Sequence, residues 1–395
     1  MSTPIHENAP GQSARLLSRE FLVLLGSVSF FGFSWSFYLI LPKFFAAELG
    51  MDAAAIGRAV AVQGITAVIV TPLVGWLVDR YGRRPWLIAG NVMLMLTGLL
   101  YLLVEQEGPI LYLAQMCWGV GMVMGFNSAG TMTADIAPSN RMAEALGLFG
   151  AANLGMNAIS PTIAEILAAS VGWKYVFAAS ASAGLMAALL STRIREPARH
   201  EPREHDVGIP VLGGPLLRVY GTTILMTAAF TALFTLHQPF ALELGVTEVR
   251  SFFIGFAIVA LTVRLGGGRL IDRFGVLRSS VVALILYAAV PPMLGILGPQ
   301  YLFEVGAMMG LGHGIAYPAL TALAIERADA ATRGMVVSII HGAFNGGHAF
   351  FAYVLGWAAA QWNYSTAFWA AGVVTLAGAL VLGVRRRPRV SEPQH

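Results

Sequence analysis

Gly75-Trp76-Leu77-Val78-Asp79-Arg80-Tyr81-Gly82 is answered later in the chain by Gly268-Arg269-Leu270-Ile271-Asp272-Arg273-Phe274-Gly275. Both stretches read G-x-L-x-D-R-aromatic-G, and both close a long apolar run. A charged turn repeated between membrane-length segments points to a duplicated, polytopic membrane protein. Such a protein moves solutes rather than converting them.

Composition agrees. Of 395 residues, 56% are hydrophobic and 12% are charged, whereas soluble domains carry about a quarter charged residues. Twelve runs approach the roughly 20 apolar residues that a membrane helix needs: 20–44, 54–77, 86–104, 108–133, 144–168, 173–192, 217–242, 251–270, 279–298, 301–325, 334–358 and 364–384. The expected fold is an all-α integral membrane protein, twelve transmembrane helices in two pseudo-symmetric six-helix bundles. Residues 1–18 read as a disordered polar tail and 19–192 as the first bundle. Residues 193–216, rich in charge, Pro and Gly, read as a linker. The second bundle is 217–384, and 385–395 is a basic tail. The lone Cys117 sits in an apolar run and excludes an internal disulfide.

Basic residues set the orientation. With the N-terminus in the cytosol, twenty of the 25 basic residues fall on the cytosolic side; only Lys43, Arg58, Lys174 and Arg250 fall outside, and Arg264 lies within a span. Both termini are therefore expected in the cytosol of a bacterial inner-membrane protein. The net charge of +4 is spread over short loops, so no nucleic-acid partner is expected.

The duplication runs past the loop. Glu48-Leu49-Gly50 recurs as Glu243-Leu244-Gly245, Asp135 is matched by Glu326, and Gly172-Trp173 by Gln361-Trp362. Over nearly its whole length the chain resembles the major facilitator superfamily. That family's signature loop, G-x-L-a-D-R-x-G-R-[RK] between the second and third helices, is matched by Gly75 to Arg84. The second copy has Val276 and Leu277 where the first has Arg83 and Arg84. The resemblance implies two bundles rocking about a central cavity.

The resemblance also implies a cytosolic gate built from Gly75, Asp79, Arg80, Gly82, Arg83, Arg84, Gly268, Asp272, Arg273, Gly275 and Arg333. It places Asp79 near Gly334 at the start of the eleventh helix, and Asp272 near the start of the fifth. An acidic side chain is favoured at a helix N-terminus, and Arg80, Arg83 and Arg333 are candidate ion-pair partners. Drug:proton antiporters often carry R-x-x-x-G on the fourth helix, and here Gln115 stands at the arginine. Ser160-Pro161 stands where their fifth helix often has Gly-Pro.

Polar residues inside membrane spans tend to face a cavity or one another. His341, Asn345 and His348 share one face of the eleventh span, as Asn153 and Asn157 do on its repeat equivalent, the fifth. Ser34, Trp35, Tyr38, Gln115, Asn127, Thr231, Gln238 and Tyr317 complete the candidate substrate cavity. It reads as aromatic and hydrogen-bonding, leaning away from strongly anionic substrates. Arg264 reads as structural, snorkelling or pairing with an acid such as Asp272. Histidine titrates near neutral pH, so His313, His341 and His348 are candidates for proton coupling. Glu165 and Glu304, toward the outer span ends, join that set, with gate-lining or solvated positions preferred.

No G-x-S-x-G, Walker loop or H-E-x-x-H occurs, so neither an ATP-driven pump nor an enzyme is expected, and no cofactor or metal. The sequence favours a secondary active transporter, a monomer whose partners are a small-molecule substrate, protons and membrane lipids. Export of an amphipathic organic molecule leads, and uptake or facilitated passage of a small metabolite such as an organic acid or sugar is the alternative. An intramembrane enzyme or a transporter-like sensor rank below both.

Overall fold

The computed structural model describes residues 17–196, 213–266, 273–329 and 332–384. The first sixteen residues, most of the linker, Gly268 and Asp272 of the second loop copy, and the basic C-terminal tail lie outside the described residues.

The described residues form twelve helical rods, named in chain order. The first six are α1 (Arg19–Ala47), α2 (Ala53–Tyr81), α3 (Arg84–Tyr101), α4 (Pro109–Ile136), α5 (Met142–Ser170) and α6 (Trp173–Ser191). The second six are α7 (Gly214–Glu243), α8 (Arg250–Gly266), α9 (Val276–Leu297), α10 (Leu302–Glu326), α11 (Arg333–Gln361) and α12 (Tyr364–Gly383). An all-helical build is what an apolar solvent demands, because each backbone N–H and C=O must be satisfied within its own segment. Eight rods are apolar and long enough to cross a membrane by length and composition alone. Of the remaining four, α5 and α11 carry the asparagine and histidine stripes, and α8 carries Arg264.

Local chemistry starts and stops the rods. The Asp52 side chain accepts from Ala55 N–H at 2.7 Å, and Asn363 accepts from Thr366 N–H at 2.8 Å; both are N-caps. Between α2 and α3 the chain turns at Gly82 with φ +95°, a region open to glycine at little cost. Two rods are broken. α1 passes through a 3₁₀ stretch at Phe37–Ile40 and restarts before Pro42; α7 passes through a π stretch at Ala232–Leu236 just before Pro239. Proline has no N–H and crowds the carbonyl four residues back, so both interruptions have a local cause.

α1 to α6 pack as one bundle and α7 to α12 as the other. The bundles meet chiefly where α2 crosses α11 and where α5 crosses α8. The Gly75–Arg84 turn, the end of α4 at Asp135 and the end of α6 at Glu196 lie together at one end of the molecule, here the basic end. The opposite end is the far end.

Candidate functional site

The α2–α11 seam shows how the bundles are set. Near the far end the two backbones touch. A methyl group on Gly57 would lie 2.2 Å from the Ala352 carbonyl oxygen, and one on Gly356 would lie 2.5 Å from the Ala53 oxygen. Only residues without a side chain permit this approach. Midway the seam loosens, and a methyl group on Gly346 would lie 3.5 Å from Val68. Toward the basic end, a methyl group on Gly75, Gly342 or Gly334 would meet nothing from another helix within 4 Å. The helices thus form a V, shut at the far end and open at the basic end.

Two polar clasps hold the far end shut. Glu165 on α5 is 1% exposed and accepts the N–H groups of Val249 at 2.9 Å and Arg250 at 2.8 Å. It thereby caps the positive N-terminus of α8 in the other bundle. Lys43 pairs with the same carboxylate and also donates to the Thr247 carbonyl; Arg250 lies 3.9 Å from it. The second clasp is Gln238 on α7. Its amide donates to Leu39 O at 2.8 Å and accepts from Lys43 N–H at 3.1 Å. Those backbone groups sit where α1 is broken, so a side chain of one bundle splices the interrupted backbone of the other.

Above the clasps lies a cavity of about 270 Å³. Trp35, Asn127, Asn153 and Asn157 line it from the first bundle, and His313, Tyr317, His341 and Asn345 from the second. An aromatic wall supports them. The His313 and Tyr317 rings stack at 12°, Phe344 lies 5.2 Å from Tyr317, and Phe230 lies 5.0 Å from Phe344. Phe126 faces His341 at 6.2 Å from the opposite bundle. Asparagines on α5 and α11 are repeat equivalents, which is why they meet across the central space.

Other candidates lie elsewhere. Ser34 donates to Ser180 O at 2.9 Å and packs α1 on α6. Tyr38 donates to Leu94 O at 3.1 Å inside the first bundle. Gln115 is fully buried on α4, and neither of its amide atoms has a partner among the described residues. Thr231 and His348 bond to each other at 2.8 Å, joining α7 to α11 behind the cavity wall. Gln238 belongs to the far-end clasp. Glu165 is buried there rather than solvated, and Glu304 is exposed. Ser34, Tyr38, Thr231, His348, Gln238 and Glu165 have local partners, which a one-dimensional polar stripe does not reveal.

Arg264 departs most from its sequence reading. It lines the cavity together with His313 and Tyr317. The pairing with Asp272 lies outside the described residues. Phe126, Phe230, Phe256 and Phe344 also line the wall without having been signalled, because phenylalanine is common in every span. Among the described residues no three His, Cys, Asp or Glu side chains converge to hold a metal. A second hollow, about 570 Å³ between α9 and α12, is lined by apolar residues alone such as Pro292, Trp369 and Val373. It has no polar group to orient a solute.

At the basic end, Asp79, Arg80 and Arg333 are exposed, with no ion pair among the described residues. Arg80 lies over the Trp76 ring at 5.5 Å and Tyr81 at 5.8 Å. Arg83 turns inward and forms an ion pair with Asp135 of α4 at 3.0 Å. Glu196, just after α6, accepts from the N–H groups of Arg83 at 2.6 Å and Arg84 at 2.8 Å, capping α3. The Arg84 side chain reaches the Thr192 carbonyl. A side chain on Gly82 would meet Glu196 at 2.5 Å. The loop residues after Gly82 therefore brace the first bundle. Gly275 repeats the turn with φ +83°, but Val276 and Leu277 bring no charge to it, and Arg273 is exposed.

The family model described as Major Facilitator Superfamily matches residues 22–236 and 219–395. Multidrug resistance protein 1 of Bacillus subtilis is 28% identical over 236 residues, which is 58% of this chain and 59% of that protein's length. The multi-drug resistance efflux pump PmrA of Streptococcus pneumoniae is 25% identical over 325 residues, 73% of this chain and 76% of the pump. Among solved structures, a D-xylose-proton symporter superposes with a TM-score of 0.73 at 16% identity, covering 92% of this chain and 97% of that one. The inward open conformation of the xylose transporter XylE from E. coli gives 0.74 at 15%, covering 92% and 94%. At such identities the structures speak for the fold alone.

Proposed function

The chain belongs to the major facilitator superfamily and is a transporter, not an enzyme; on that premise we propose that it exports small amphipathic organic molecules in exchange for protons. It works as a monomer in a bacterial inner membrane, with both termini cytosolic. The observation that carries this reading is the V-shaped seam, which leaves a polar-aromatic cavity reachable from one end only. The excess of basic residues at the open end supports a cytosolic position for it, so the conformation reads as inward-open. Asp79 and the start of α11 are then apart, and closing the basic end would bring them together as the far-end clasps release. The printed names of the bacterial relatives, resistance protein and efflux pump, support the outward direction.

Proton coupling is assigned to His313 and His341 in the cavity wall, with His348 behind them on Thr231. In cells lacking other exporters, expression should lower retention of at least one dye from a panel of neutral, cationic and anionic aromatic dyes. An uncoupler should restore retention, and replacing the three histidines together should abolish export. Export unchanged in the triple variant would sink the histidine mechanism, and insensitivity to the proton gradient would sink the coupling itself.

A further inference from the structure

We propose that the cavity selects a small aromatic monoanion, whose carboxylate is held by Arg264. The inference rests on the reading of this cavity as the transport site. Its starting point is the charge inventory of the wall. Among the described residues Arg264 is the one formally charged residue lining the cavity, and no aspartate or glutamate lines it. Among the described residues Arg264 makes no hydrogen bond or ion pair. Its side chain is exposed at the open, basic side of the cavity, so the charge is available to a guest, and within a membrane span a cation is favoured by an anionic partner. A cationic guest would add a second unpaired charge of the same sign.

Guanidinium geometry narrows the partner further. Arginine presents a planar fork of donors that matches a carboxylate with two parallel hydrogen bonds. The opposite bundle offers an additional donor: Trp35 lines the cavity, and its buried indole N–H has no partner among the described residues. Near it, Asn153 keeps an unpartnered buried carbonyl oxygen. Both atoms are enclosed as they stand, so a turn of the Trp35 or Asn153 side chain would bring one spare donor and one spare acceptor to a guest. Phe230, Phe256, Phe344 and Tyr317 supply ring faces for that body. One cation matches one negative charge, and a volume of about 270 Å³ suits one or two rings.

The test is a matched pair of probes, 1-naphthylacetate and its neutral amide, titrated calorimetrically into the purified full-length protein. The rings are identical, so the pair isolates the charge. The acid should bind about 10- to 100-fold more tightly than the amide, the range for hydrogen bonds to a charged group. Arg264→Gln should erase that preference while leaving amide affinity within about twofold, and Arg264→Lys should keep part of it. Equal binding of acid and amide to the wild type, or a preference surviving in Arg264→Gln, would overturn the inference while the transporter reading stands. If Arg264→Gln loses both probes, Arg264→Lys decides: a retained preference supports the inference and equal binding refutes it. If neither probe binds the wild type, the cavity is not the substrate site, and the inference goes with it.

Discussion

The two ends of the molecule carry similar elements in different arrangements. At the far end an acidic side chain from one bundle, Glu165, sits on the N-terminus of a helix in the other, α8, and is buried. At the basic end the corresponding elements, Asp79 and the start of α11, are present but apart, with Asp79 exposed. A carboxylate on a helix terminus joins the bundles at the far end, and the proposed gate would use the same chemistry at the basic end. The clasp on display is the one at the end whose helices touch. The difference teaches that the residues of a gate are recognised by chemistry, but only the packing tells which gate is shut.

The largest expected effect comes from wedging the shut end. Gly57→Val places a side chain where even a methyl group would sit 2.2 Å from the Ala352 oxygen. Overpacking costs about 1–3 kcal/mol or more, so far-end closure should fail and dye export should fall about tenfold or further. Export at the wild-type rate would show that α2 and α11 need not touch.

Glu165→Ala removes one partner of a buried ion cluster, a change that costs about 3–5 kcal/mol when the remaining charge stays buried. Here the far end can open and hydrate Lys43 and Arg250, so part of that cost should appear as a shifted conformational balance. Protease access at the Gly245–Arg250 turn should rise, and unchanged access would count against the clasp. Gln238→Glu is subtler. A carboxylate cannot donate to Leu39 O or Phe234 O, which the amide does at 2.8 and 3.0 Å. A weakening of about 1–3 kcal/mol is expected, read as a faster opening rate, with Gln238→Asn too short to rescue it.

At the open end the effects should be smaller. Glu196→Ala uncaps α3 and should lower the unfolding free energy by about 1 kcal/mol, visible in a melting curve with little change in dye preference. Asp79→Asn should leave the melting temperature unchanged, because the side chain is exposed. It should slow export by only a few fold, since a carboxylate at a helix terminus contributes about 0.3–1 kcal/mol. A large loss of stability in Asp79→Asn would mean that Asp79 braces the bundle as Arg83 does.

The architecture was legible because apolar length and the position of arginines are one-dimensional properties. The duplicated loop named the family. Asn153, Asn157 and Asn345 were legible as cavity residues because a polar stripe on a membrane helix needs somewhere to point. Ser34, Tyr38 and Gln238 carry the same kind of polarity but satisfy it locally against Ser180, Leu94 and Leu39, and no spacing rule separates those cases. Arg264 was read as structural because it lies near a span end, yet the open basic end extends the cavity to that depth. Asp135 was noticed as a repeat marker, but its partner Arg83 and the cap from Glu196 required contacts among three helix ends. Glu165 and Lys43 are 122 residues apart, and nothing in the sequence couples them.

Anticorrelated movement of the two ends is the central claim, and spin-label distances measure it directly. With Cys117 replaced by alanine, one label pair goes at Lys174 and Asn363 on the far end and another at Asn140 and Asp329 on the basic end, all exposed positions on opposite bundles. Comparing the parent with Glu165→Ala should show the far-end distance lengthen while the basic-end distance shortens. Both distances moving the same way, or the far end opening with no response at the basic end, would contradict the account.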